Sequence, residues 1–151
     1  MKNTITLGFC LIIFLFSACK TAPDSKAVKK EVLNIHDKLM IDGGKVMSNK
    51  MKLDSVLKSD KIKSPQDSAK VADLIMSLNK ADERMMDWMH LFNDEFKGKN
   101  EQEDLDYYKS EMVKIRKVED DYIKVTKASD SVLKKYNIAP AAKMNMEHHK
   151  H

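Results

Sequence analysis

"KSDKIKSPQD", residues 58–67, decides how the chain is arranged. Lys58–Ser64 is a polar run broken only by Ile62 and reads as a turn. The last four residues read as a helix start. Ser64 suits the N-cap, Pro65 the first helical position, and Asp67 the place where a capping box puts an acid. A segment that stops near Lys58 must therefore double back beside the one that begins at Pro65.

Both flanks carry helical periodicity. Upstream, over about Ala27–Lys58, Val32, Leu39, Val46 and Leu53 recur at heptad spacing, and Val28, Ile35 and Val56 fill the alternate positions. Asp42, Gly43, Gly44 and Asn49 interrupt that seam. Adjacent glycines cost a helix about 1 kcal/mol each relative to alanine, so they predict a bend or a close helix approach. Downstream, to about Lys97, Val71, Leu78, Met85 and Phe92 repeat in the same way, flanked by Leu74, Ile75, Trp88, Met89 and Phe96, with Gly98 expected at C′.

Asn100 and Glu103 open a third helix that runs to about Tyr136. Its stripe is Leu105, Tyr108, Met112, Ile115, Val118, Tyr122, Val125, Val132 and Tyr136. Acids crowd its start and Lys134 and Lys135 its end, as the helix dipole favours, and Asn137 and Pro140 stop it. No stretch has strand periodicity. Three helices of about 45–50 Å with short turns predict an all-α, antiparallel three-helix up-down-up bundle with coiled-coil-like packing over residues 27–137.

The N-terminus is expected to lie outside the fold. Lys2 is followed by an apolar run, Ile5–Phe16, too short to anchor as a membrane span, so residues 1–18 read as a secretory signal peptide. "LFSAC", Leu15–Cys19, resembles a bacterial lipobox, with Phe16 where Leu is usual. That resemblance implies cleavage before Cys19 and lipidation of its thiol. Residues 19–26, with Pro23, are then a lipidated tether. Cys10 and Cys19 are the only cysteines, so packing without a disulfide has to hold the domain.

The 27 Lys and Arg outnumber the 23 Asp and Glu only mildly, and Arg84 and Arg116 are the only arginines. Nucleic-acid binding would call for clustered arginine and an aromatic platform, and an exported chain would not meet nucleic acid. Gly-rich phosphate loops, a nucleophile elbow and a cysteine nucleophile are missing from the sequence, so no enzyme class is suggested.

"MMDWMH", residues 85–90, is chemically the densest stretch. Met85, Trp88 and Met89 fall on the core stripe, whereas Met86 and His90 lie beside it, one turn apart. His36 and Met40 repeat that spacing on the first helix. In an antiparallel hairpin, facing residues share one index sum, as the pairs His36/His90 and Met40/Met86 do. Two imidazoles and two thioethers at one height would suit copper as Cu(I); the alternative is core filler with solvated histidines. Residues 138–151 are expected to form a flexible tail in which Met144, Met146, His148, His149 and His151 could also chelate copper or another borderline metal.

The lipobox, "IHDKLM" (Ile35–Met40) and "ADERMMDWMH" (Ala81–His90) resemble small helical lipoproteins of Bacteroidota, sometimes labelled "viral A-type inclusion protein". The resemblance implies an envelope lipoprotein without an assigned activity, and transfers no functional residue. Only Asp24 is acidic in "CKTAPDS", which favours the periplasmic face of the outer membrane over the cell surface. The function expected is non-catalytic: a membrane-anchored helical bundle that presents a surface to an envelope protein, with copper binding or buffering as the alternative. Cys19→Ala should leave the chain unprocessed or release it from the membrane. Fractionation of cells with mass analysis of the N-terminus checks this; a soluble wild-type chain that keeps residues 1–18 contradicts it.

Overall fold

A computed structural model describes residues 24–142. Three helices account for most of them: α1 (Ser25–Leu57), α2 (Pro65–Leu91) and α3 (Glu101–Lys135). The described chain is an all-α three-helix bundle. Apolar side chains at most of the expected heptad positions build one core, with Val32, Leu39, Leu53, Leu78 and Ile115 wholly removed from solvent. Near the end of α3 the fully buried residue is Leu133, and the expected Met112, Val132 and Tyr136 are only partly buried. Cross-helix pairs reveal the directions. Ser25–Glu101, Lys38–Glu119 and Asn49–Ser129 are separated by 76 to 81 positions, so α1 and α3 run parallel. α2 runs against both, and the α1–α3 interface is the most extensive of the three.

The caps show why the elements begin and end where they do. Asp24 caps α1 by accepting from the N–H of Ala27 at 2.7 Å, so the helix starts two residues inside the segment expected as tether. Ser64 caps α2 as expected, but Asp67 reaches across to Lys135 at 3.1 Å. Asn100 caps α3 by accepting from Glu103 N–H, while the Glu103 carboxylate accepts from Lys99 N–H. Asn137 ends α3 in the left-handed region (φ 56°), with Asn137 N–H donating to Lys134 O and Ile138 N–H to Leu133 O. This is the Schellman closure.

Two expectations need correction. α2 ends at Leu91, not near Lys97, with Phe92 already extended (ψ 126°). Two tyrosines of α3 hold the departing chain: Asn93 N–H donates to the Tyr107 hydroxyl at 2.7 Å, and the Tyr108 hydroxyl donates to Asp94 O at 2.9 Å. Gly98 is therefore not a C′ residue and has no positive φ. It is needed for close approach instead, since a Cβ there would lie 2.5 Å from the Glu103 Cβ. The glycine pair in α1 leaves that helix unbroken, and a Cβ on Gly43 would meet the Tyr122 hydroxyl at an ordinary 3.8 Å.

Polar groups inside the seam are all partnered. Asn49, fully buried, donates to Ser129 Oγ and to Asp130, and accepts from the N–H of Ala141 at 2.9 Å. Lys52 donates to Ala139 O. Residues up to Ala141 are thus strapped along α1, so attachment to the bundle extends past residue 137, where the tail was expected to begin.

Glu119 on α3 ties the parallel pair together, accepting from Lys38 of α1 at 2.7 Å and from Arg116, which also reaches Glu31. The hydrogen bond from Lys38, with that from Arg116 and both positive charges, holds the Glu119 carboxyl below its ordinary range despite burial. A pKa lowered by folding adds stability above the unfolded value, about 4.3, and that stability is lost as pH falls through the folded value. Thermal melts of wild type and Glu119→Gln should differ by a constant amount at pH values above the ordinary carboxylate range and converge as pH falls below it. A gap that widens on acidification contradicts this.

Candidate functional site

The end of the bundle where α2 hands over to α3 concentrates the aromatic, sulfur and imidazole side chains. Trp88 lies on the buried face of α2 at 5 % exposure, three residues after Met85 on the same stripe. Its ring stacks on Phe92 at 4.7 Å, and Phe96 stacks on Tyr107 at 4.0 Å, with Phe92 and Tyr107 6.5 Å apart. This aromatic column closes the end of the core and leaves the indole N–H pointing between α2 and α3. There it donates to Glu111 at 3.0 Å. Glu111 is itself buried at 2 %, and its other oxygen accepts from Lys114 at 2.6 Å. Both carboxylate oxygens are thus paired, as a buried charge requires.

On the α1 side, His36 is half-buried and faces α2. Its Nε2 lies 3.2 Å from Met89 Sδ, its Nδ1 3.0 Å from the Asp37 carboxylate, and its ring 5.8 Å from Trp88. A crevice of about 230 Å³ opens here, lined by His36, Trp88, Met89, Phe92 and Asp94 together with Leu33. A second, more apolar groove of about 360 Å³ lies on the opposite flank of Trp88, floored by Trp88, Leu91 and Val118 and edged by charges including Arg84 and Lys114.

The four bundle residues predicted as metal ligands occupy two different environments. His36 is directed at α2, but its partner is Met89, one position from His90. His90 is exposed, and Met40 and Met86 are 51 % and 45 % exposed. The one contact seen lies one position from the expected His36–His90 pairing, and Met89, assigned to the core, is the sulfur that meets the imidazole. Among the described residues, no three His, Cys, Asp or Glu side chains gather to hold a metal. Cys19, Met144, Met146, His148, His149 and His151 lie outside the described residues.

Glu111 escaped the sequence reading because it is charged. Its place three residues after Tyr108 and four before Ile115 is on the buried stripe, and that spacing was the available signal. No protein-family model, curated protein or solved structure matches the chain.

Trp88→Ala should lower stability by about 3–5 kcal/mol, since it opens a cavity and also strips Glu111 of a donor. Denaturant melts measure the loss. The native emission of this sole tryptophan should be that of an apolar site, and a spectrum typical of water contradicts the placement.

Proposed function

We propose that the chain is a non-catalytic envelope lipoprotein, anchored through Cys19 at the periplasmic face of the outer membrane, whose helical body presents a surface to an envelope protein. The anchor rests on the sequence: the leader over residues 1–18 and the lipobox-like "LFSAC". No helix among the described residues is long and apolar enough to cross a membrane.

One observation carries the binding part. Large apolar side chains left exposed are concentrated on the α1–α2 hairpin: Met40, Met47 and Met51 on α1, and Met76 and Met86 on α2. Leu91 instead lines the groove against α3. α3 contributes Val113 and Ile123. Helical spacing places Met40, Met47 and Met86 along the edge marked by the His36–Met89 contact. The opposite edges of α1 and α2 are marked by the Glu31–Arg116 and Arg84–Asp121 pairs and face α3. Methionine is unbranched and polarizable, so a methionine-rich face adapts to a partner of irregular shape. Exposed apolar surface of this kind marks interaction sites.

Copper binding is the second reading. It has an observation of its own: the imidazole of His36 is set against a thioether instead of against solvent.

Site-specific photo-crosslinking in cells tests the leading reading. A crosslinker at Met47 should give a discrete adduct with an envelope protein, lost when Met40 and Met86 are changed to Glu. The same group at Val113 should give none. Equal adducts from both faces, or none from Met47, overturn the proposal.

A further inference from the structure

We propose that His36 and Met89 are the paired ligands of a site for one soft monovalent metal ion, Cu(I), in the crevice between α1 and α2 beside Trp88. The site rests on the copper reading and gives it ligands different from the quartet expected from the sequence.

The placement of the two ring nitrogens carries the proposal. An ionised carboxylate only accepts, so the 3.0 Å contact between Asp37 and His36 Nδ1 puts the ring proton on that nitrogen. A neutral imidazole then presents a bare lone pair at Nε2. The atom facing it at 3.2 Å is the sulfur of Met89, which carries no proton either. In that tautomer two donor atoms face each other across a gap that a soft cation would bridge.

Imidazole and thioether together suit Cu(I). A carboxylate on the outer nitrogen is the usual way a metal-binding histidine is oriented. The indole of Trp88, 5.8 Å from the imidazole, lines the same crevice. Bonds of about 2.0 Å to nitrogen and 2.3 Å to sulfur, the lengths zinc makes to imidazole and thiolate, would set the donors about 3.7 Å apart at a trigonal angle. The pair need open by only about half an ångström, within the reach of a half-buried, flexible methionine. Further thioethers stand near on the same edge: Met40 one turn beyond His36, and Met86 three residues before Met89.

The test uses residues 19–151 with Cys19→Ser, Met144→Leu and Met146→Leu, and with His148, His149 and His151 changed to Ala. Soft ligands then remain only in the helical body. Cu(I) is titrated anaerobically against a chromophoric chelator while Trp88 emission is followed. Quenching should saturate at one equivalent. His36→Ala and Met89→Leu should each weaken binding at least tenfold and remove the quenching, and Met89→Leu keeps the core volume so that the fold survives. Asp37→Asn should weaken it by about 10–100-fold. Absence of saturable binding, or quenching unchanged by Met89→Leu, overturns the site. If the chain with its natural tail binds copper and the tail-substituted chain does not, the bundle site falls while the copper reading passes to the tail.

Discussion

α1 and α3 run in the same direction and share the largest interface, and the position of α2 follows from that contact. Parallel helices cannot be joined by a tight turn, so the chain between them has to travel the length of the bundle. α2 is that return. With no cysteine among the described residues, the seam itself must hold the pair, through side chains such as Val32, Leu39, Leu53, Ile115 and Leu133. Full burial of each larger one contributes about 1.5–3 kcal/mol. Salt bridges such as Lys38–Glu119 and Lys45–Asp130 flank the seam on the α3 side.

Apolar stripes at heptad spacing do not by themselves prevent a slip of one turn, because leucine meets leucine in either register. The buried polar residues do. Asn49 meets Ser129, Asp130 and the Ala141 backbone in one arrangement only, and Glu111 meets Trp88 and Lys114 in one only. A slip would strand these groups in the core at a cost of about 1–3 kcal/mol for each unmade bond, and more for the carboxylate. A lone buried asparagine sets register in coiled coils for the same reason. At the far end of α1, the same asparagine fastens the chain that follows α3.

This packing also determines what is left open. α3 covers one side of the α1–α2 hairpin, so the exposed methionines stay on the outer flank, where a partner could reach them. His36 sits at the boundary between covered and open, close enough to α2 to touch Met89 and Trp88 and still partly open to solvent. The aromatic column from Trp88 to Tyr107 closes the core directly beneath it. Soft donors beside a rigid indole and an adaptable apolar face thus arise from one geometric fact: the third helix cannot cover both sides of the hairpin.

The sequence by itself determined the helices and their order, because periodicity and capping are local. Val32 to Leu53, the Ser64–Pro65 start and the Asn137 stop can all be read without knowing any neighbour. It also placed His36 opposite "MMDWMH", since an antiparallel turn relates residue numbers across the hairpin. Tertiary structure alone decided the rest. Phe92 leaves the helix because Tyr107 and Tyr108, contributed by α3, bind the backbone beyond it, and a local pattern cannot anticipate donors and acceptors from another helix. Met89 meets the imidazole instead of His90 because one residue turns a helix by about 100°, finer than an index sum can resolve. Glu111 is buried because its charge has partners there, and whether a charged residue has partners is a property of the packed helices, not of its own stretch of chain.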